Sequence, residues 1–170
     1  MLGAMSDLWR ELPLFGRPRV DESGVDESWD ADLAAVRAAA RTALERHPDT
    51  AASDAFEAAL PAPRTRRDGS PRRVRLAELD RAVYAYLDLC ARLRVEPGVP
   101  PRAAGAVALR RAASAPTEIR AVIAGHSLRA TDADWSFGRG PVLEDTAAAL
   151  LEFLGGRSLR APRPASPPAS

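Results

Sequence analysis

Apolar residues in the middle of the chain recur at spacings of three and four, which is the period of an amphipathic helix. The clearest segment runs from Leu76 to Leu93. Its apolar positions are Leu76, Leu79, Val83, Tyr86, Leu87, Cys90 and Leu93. We expect this segment to form the central helix and to end at the proline-rich stretch 97–101, because proline breaks a helix interior.

Four shorter segments have the same spacing and predict further helices. They span residues 29–47, 51–60, 101–113 and 145–154. Ser28 can accept a hydrogen bond from the free amides of the first helix, and Thr50 has the same predicted role in the second. Pro101 suits the first turn of the third helix, and Gly155–Gly156 supplies a left-handed stop for the last one.

Residues 117–143 are ambiguous between helix and strand. A helix opened by Pro116 fits the first apolar positions, yet Arg120–Ala124 also has the composition of a short buried strand. Those apolar positions are Ile119, Val122 and Ile123. The turn-rich stretch Thr131–Pro141 follows, with Trp135 and Phe137 as its apolar anchors. Periodicity leaves both interpretations open.

The helical segments predict a mainly α fold, with one compact helical domain at residues 29–156. The alternative is an α+β fold with short strands in 119–137. Residues 1–28 are predicted to be an acidic flexible arm. Residues 157–170 are rich in proline and alanine and have no apolar period, which predicts a disordered tail.

The arm has an apolar group followed by an acidic tandem repeat. The apolar group consists of Trp9, Leu12 and Phe15. The repeat consists of Val20–Gly24 and Val25–Trp29, which differ only in their last residue. Because the apolar group is too small to fold alone, we expect it to anchor on a partner protein or on a second copy of the chain.

Charge is distributed unevenly along the 170 residues. Residues 61–130 hold 14 arginines against 6 acidic residues, whereas residues 1–60 hold 6 arginines against 12 acidic residues. The sequence contains no lysine, so every basic side chain is a guanidinium. The single cysteine, Cys90, excludes an internal disulfide, and no apolar run approaches the roughly 18 residues of a membrane span. We therefore expect a cytoplasmic protein without a membrane contact.

An arginine-rich loop is the most basic part of the chain and a candidate anion or partner contact. It consists of Arg64, Arg66, Arg67, Arg72, Arg73 and Arg75, which flank Asp68–Pro71. Such a loop attracts phosphates or an acidic protein surface, including the acidic arm itself. Because no aromatic residue lies among these arginines, any nucleic-acid contact would be non-specific. A plain solvated loop is the remaining alternative.

A second candidate site, a ligand pocket, lies in the turn-rich stretch. It is predicted from polar groups and a large aromatic close together in the sequence: His126, Asp132, Asp134, Trp135 and Arg139. The alternative is that Asp132 and Asp134 cap the backbone while Trp135 fills core volume. Metal binding by His126 with the two aspartates is disfavoured because the ligands are few.

No residue is predicted to be catalytic. Gly125–Leu128 is similar to the nucleophile turn of α/β hydrolases, but Arg129 stands where that turn needs glycine, so Ser127 is not expected to be a nucleophile. Cys90 lies on the apolar stripe and is expected to be a core thiol. We accordingly expect no cofactor and no metal.

The C-terminal segment resembles the actinobacterial mycothiol-dependent maleylpyruvate isomerase family. The resemblance rests on Leu128–Trp135, Gly138–Pro141 and Ala147–Arg157. In that family similar residues form an Asp-Trp strand, a Gly-Pro turn and an Ala-Leu-Leu helix of the sterol-carrier-like C-terminal domain. The resemblance implies strands in 119–137. It also implies either a catalytically empty relative or the accessory domain alone, since no metal-binding histidine set is present.

These observations predict a non-enzymatic binding or regulatory module that uses the apolar group of the arm, with the arginine-rich loop as a second contact. A small-ligand-binding or enzymatic relative of the isomerase family is the alternative. A non-specific nucleic-acid binder is the third interpretation.

Overall fold

The computed structural model describes residues 28–62, 65, 67–69 and 72–165. Within these ranges the chain forms six helices and four short strands. The helices are α1 (Asp30–Arg46), α2 (Thr50–Ala59), α3 (Leu76–Leu93), α4 (Pro101–Ser114), α5 (Thr117–Ile123) and α6 (Ala147–Leu154). The strands are β1 (Ser127–Ala130), β2 (Ser136–Gly138), β3 (Val142–Asp145) and β4 (Arg163–Pro164). The mainly helical fold class is confirmed, and the small sheet adds the strands that the α+β alternative anticipates.

The N-terminal amides of the first two helices find side-chain acceptors in different ways. Ser28 Oγ accepts a hydrogen bond from the amide of Asp30 at 3.3 Å, as the sequence predicts, although Trp29 is the cap residue of α1 and forms no side-chain cap bond. The prediction of Thr50 as the cap of α2 is wrong, because Thr50 is already helical and the carboxylate of Asp49 accepts from the amide of Ala52 at 2.9 Å. Asp49 has the extended backbone of a cap residue, and its carboxylate is also favoured by the helix dipole.

Helix α3 is the centre of the core and has the bounds that the sequence predicts. Helices α1, α2 and α4 all pack against it, and α6 packs against α4. The fully buried side chains of α3 and α4 include Leu79, Ala82, Val83, Leu89, Ala103, Ala104 and Val107. Three of the four buried side chains of α4 are alanines. None of the helices in the described ranges is long and apolar enough to cross a bilayer.

The four strands form one sheet in the order β2, β1, β3, β4. Strand β1 pairs antiparallel with β2 and parallel with β3, and its register places Leu128 beside Leu143. Both leucines are buried, so one face of the sheet covers the helical core. Residues 120–123 lie in α5, which decides the ambiguity there in favour of a helix; the first strand begins only at Ser127.

The last helix starts later than the sequence predicts. Asp145 is the final residue of β3, and the hydroxyl of Thr146 accepts from the amide of Ala149 at 3.2 Å. Thr146 is therefore the cap, and α6 begins at Ala147. At the other end Gly156 has a φ of +70°, the left-handed conformation predicted for the glycine pair.

The folded part also extends beyond the predicted end of the domain at Gly156. Strand β4 pairs antiparallel with β3, and the amide of Ala165 donates to the carbonyl of Val142 at 2.8 Å. The predicted disordered tail from Arg157 therefore differs from the structure as far as Ala165. Residues 166–170, like residues 1–27 of the predicted arm at 1–28, lie outside the described residues.

Candidate functional site

Helix α3 carries three polar side chains along one line of its surface. Asp80, Tyr84 and Asp88 are four residues apart, so they lie one above another on the same face. Asp80 and Tyr84 are buried, whereas Asp88 is exposed. The C-terminal end of α4 and the chain just after α6 bring arginines to this line. Residues from three separate helical regions thus meet over one face of α3.

Asp80 is held by a two-point ion pair from the neighbouring helix. The Nε and Nη2 atoms of Arg111 donate to its two carboxylate oxygens at 2.7 and 2.9 Å. Arg110 reaches the same carboxylate only at 4.0 Å. Because this paired geometry satisfies both oxygens of Asp80, its charge is compensated within the fold and little of it is offered to a ligand.

Tyr84 fixes the middle of the line. Its hydroxyl donates to the carbonyl of Leu151 at 2.6 Å. The guanidinium carbons of Arg111 and Arg157 lie 4.4 and 5.4 Å from the centre of its ring. Gly155 leaves room for this ring, because a Cβ added there would overlap the tyrosine hydroxyl. Tyr84 therefore joins α3 to the end of α6 and has cations over its π-system.

Arg157 also connects α3 with α6. Its guanidinium pairs with Asp88 on α3 and with Glu152 on α6, the latter at 3.3 Å. The first residue of the predicted tail is thereby tied to the face that carries Tyr84.

The pH dependence of stability should report on Tyr84. Burial raises the pKa of Tyr84 from 10.0 to about 12, against a smaller lowering effect of Arg111. At pH 8, Tyr84→Phe should lower the free energy of unfolding by about 1 kcal/mol through the lost hydrogen bond. As the pH rises above 10 the unfolded chain loses this proton first, so the advantage of the wild type should disappear between pH 10 and 12.

Urea unfolding of both proteins at intervals from pH 8 to 11.5 checks this expectation. Tyr86, whose pKa burial also raises to about 12, is present in both proteins and cancels in the comparison. A difference between wild type and Tyr84→Phe that stays constant to pH 11.5 would contradict it.

An open groove of about 450 Å³ runs beside this line of side chains. Ala59 of α2 forms one side, and Arg110 and Arg111 of α4 form the other. A second depression adjoins it at the N-terminal end of α3 and shares Ala77 and Arg81 with it. The two depressions therefore make one continuous surface along α3.

The exposed residues Arg75, Arg81 and Arg110 line this surface, and the exposed residues Arg72 and Arg73 precede Arg75 in the sequence. We call these five residues the arginine track. Apart from the 4.0 Å approach of Arg110 to Asp80, their guanidinium groups form no ion pair with any residue in the described ranges. The nearby acid Glu78 instead accepts from the backbone amide of Arg75 at 2.8 Å. In the part of the chain that the structure describes, four members of the track, Arg72, Arg73, Arg75 and Arg81, thus have no ionic partner.

The arginine-rich loop predicted from the sequence forms the beginning of the track. Arg67, Arg72, Arg73 and Arg75 are exposed, as a contact surface requires. Arg64 and Arg66 lie outside the described residues, and so does the apolar group Trp9, Leu12 and Phe15. Whether any of these residues contacts an anion or a partner stays a prediction.

The predicted ligand pocket contains residues with separate structural partners. Asp132 accepts from the backbone amide of Ala147 at 2.6 Å, at the start of α6. The Nδ1 atom of His126 lies 3.0 Å from the carbonyl oxygen of Ala124. Asp134 and Arg139 are exposed. Among the described residues no group of three or more His, Cys, Asp or Glu side chains is arranged to hold a metal ion.

Trp135 lies against helix α4. A Cβ added at Gly105 would be only 3.2 Å from the Cγ atom of this indole, so the missing side chain is what allows the close approach. The ring also stacks on Phe137 with centroids 5.8 Å apart. Its Nε1 atom is buried without a hydrogen-bond partner in the described part of the chain. Trp135 thus packs the sheet onto the helices.

The sequence analysis missed the α3 line and the α4 arginines. The signal in the sequence was the four-residue spacing of Asp80, Tyr84 and Asp88 on a helix whose opposite side is apolar. Their pairing with Arg111 spans 31 positions, which no local pattern reveals.

Comparison of the chain with protein-family models, with curated proteins and with solved structures finds no match. The groove and the arginine track therefore stand as the basis for a functional proposal.

Proposed function

We propose that this chain is a non-enzymatic protein-binding module in which the arginine track takes an acidic segment of a partner protein. The observation that carries the proposal is the row of exposed charges of Arg75, Arg81 and Arg110 along an open groove: among the described residues Arg75 and Arg81 form no ion pair, and Arg110 approaches Asp80 only at 4.0 Å. A guanidinium binds a carboxylate through two parallel hydrogen bonds, so a row of them suits a segment with several Asp or Glu side chains.

The composition of the groove favours a protein over a nucleic acid. Tyr84 is the aromatic residue in its lining, and two guanidinium groups already lie over the ring, so a base has no free stacking surface. The carboxylates of Glu78 and Asp88 also line the surface and would repel a continuous phosphate backbone. A peptide can place its own acidic residues only beside the arginines and avoid these positions.

The arm supplies the second part of the proposed contact. Its apolar group, Trp9, Leu12 and Phe15, would bind an apolar surface of the same partner. We place the protein in the cytoplasm on its cysteine usage, because the sole thiol is buried in α3 and burial raises the pKa of Cys90. No cofactor enters the proposal.

A second candidate function is a small-ligand-binding relative of the mycothiol-dependent maleylpyruvate isomerase family. It is supported by the order of elements after Trp135: β2, the Gly138–Pro141 turn, β3 and then α6, followed by Arg157. The resemblance implies a similar succession of strand, turn and helix. Under this alternative the ligand would lie near His126 and Trp135.

Binding of an acidic peptide tests the first proposal. The probe is a fluorescein-labelled twelve-residue peptide with six glutamates alternating with serines, and its anisotropy is measured at 50 mM NaCl. The double variant Arg81→Gln/Arg110→Gln should bind about fivefold to twentyfold more weakly than the wild type. Two exposed ion pairs contribute about 1 to 1.8 kcal/mol in total, which corresponds to that range.

The matched control is Arg41→Gln/Arg92→Gln, which removes the same charge from exposed positions outside the groove. It should change the affinity by less than twofold. An equal loss in both variants would show non-specific attraction and contradict the proposed site. Tighter binding of a labelled twelve-nucleotide single-stranded DNA than of the peptide would instead favour the nucleic-acid interpretation.

A further inference from the structure

The described part of the chain starts beside the arginine track. Ser28 is 8% exposed, and the amide of Trp29 donates to the carbonyl of Val74 at 3.3 Å. Val74 is flanked in sequence by Arg73 and Arg75, two members of the track. The described chain therefore begins beside the backbone segment that carries Arg73 and Arg75.

The segment that enters there is the acidic repeat. Residues 20–27 contain four carboxylates, Asp21, Glu22, Asp26 and Glu27, and no basic residue. Asp26 and Glu27 are within two residues of Ser28, so they lie at most about 7 Å of chain away from it. Their charge is opposite to that of the arginines at this end of α3.

The length of the repeat also fits the track. From Ser28 back to Asp21 the chain can extend up to about 24 Å. Arg75 and Arg81 are six residues apart on α3 and its cap, a rise of about 9 Å. The segment is thus long enough for Asp21 and Glu22 to reach Arg81. Asp26 and Glu27, which are nearer to Ser28, would then lie beside Arg73 and Arg75.

We propose that residues 20–27 of the acidic repeat occupy the arginine track of their own chain and compete there with an acidic partner. This inference rests on the proposed function, because it assigns a regulator to the same surface. The contact is intramolecular, so the repeat acts at a high effective concentration, and a partner must displace it to bind. The repeat would then raise the partner concentration that is needed for binding to the track.

Neutralising the repeat in the full chain tests the inference. The variant carries Asp21→Asn, Glu22→Gln, Asp26→Asn and Glu27→Gln. We expect it to bind the six-glutamate peptide about threefold to tenfold more tightly than the wild type at 50 mM NaCl. The gain should shrink at 500 mM NaCl, where exposed charges are screened.

The matched control neutralises four carboxylates elsewhere, with Asp7→Asn, Glu11→Gln, Asp54→Asn and Glu118→Gln. It changes the net charge equally and should leave the affinity within twofold of the wild type. An equal gain in both variants would overturn the inference, because net charge alone would explain it.

A second measurement separates the inference from the proposed function. The arginine Nε–Hε signals in ¹H–¹⁵N spectra of the wild type and of the neutralised variant, without peptide, should differ at Arg72, Arg73 and Arg75. Peptide binding without these differences would overturn the inference and leave the proposed function standing. These differences without peptide binding to either protein would keep the intramolecular contact and overturn the proposed function. Differences that grow with protein concentration would mean that a second copy is the occupant and would overturn the intramolecular assignment.

Discussion

Replacing Leu79 with alanine should lower the free energy of unfolding by about 3 to 5 kcal/mol. The side chain of Leu79 is 0% exposed, and it lies in the helix against which α1, α2 and α4 all pack. Truncation removes buried apolar contacts and leaves a cavity that the surrounding helices can close only in part. Urea unfolding followed by circular dichroism measures the loss.

Leu109→Ala is the matched control for this change. Leu109 is 56% exposed on α4, so the same truncation should cost less than about 0.5 kcal/mol. Similar losses in the two variants would mean that α3 is not the centre of the core.

Replacing Gly140 with alanine should destabilise the protein by about 3 kcal/mol or more. Gly140 has a φ of +107°, a conformation that residues with a side chain rarely adopt. A Cβ at this position would also overlap the carbonyl oxygen of Gly125, a backbone atom that cannot move aside as a flexible side chain can. The turn before β3 would have to change, and with it the hydrogen bond from the Ser127 amide to the Pro141 carbonyl at 2.9 Å.

Thermal and urea unfolding of Gly140→Ala and Gly98→Ala test this difference. A Cβ at Gly98 would meet no atom within 4 Å, and its φ is not in the left-handed region, so that variant should remain close to the wild type. A Gly140→Ala protein as stable as Gly98→Ala would show that the turn between β2 and β3 does not have this conformation.

The long helices could be predicted from the sequence because their signal is repeated many times. The apolar period from Leu76 to Leu93 covers five turns, and proline and glycine follow it, so both bounds of α3 were predicted correctly. The first residue of a helix is harder to predict where two neighbouring residues can both cap it. Asp49 and Thr50 each have a side-chain oxygen, and only the structure shows that Asp49 accepts from Ala52.

The sheet could not be predicted in the same way. Strand β1 is four residues long, and its buried positions, Leu128 and Ala130, give only one repeat of an alternating pattern. Each residue of β1 pairs with a residue of β3 that lies 15 positions later in the sequence. Strand β4, which pairs with β3, lies in a stretch whose composition predicts disorder. The composition of a short segment does not indicate which distant segment it will pair with.

The candidate site was predicted in part. A dense run of arginines is visible without a structure, and Arg72, Arg73 and Arg75 are indeed exposed. The extension of this surface to Arg81 and Arg110 depends on how α4 packs beside α3. The same packing decides that Arg111 is compensated by Asp80 whereas its sequence neighbour Arg110 is left largely free.

Strand β4 has a consequence for self-association through the sheet. It contributes only two residues, and one of them, Pro164, has no amide hydrogen to donate to a further strand. An exposed, regular strand at this border would be a template for chains to add to one another. Because so short a strand, half of it proline, closes the β3 side, the sheet is protected there against growth into aggregates, a property that shortening the chain before Arg163 would remove.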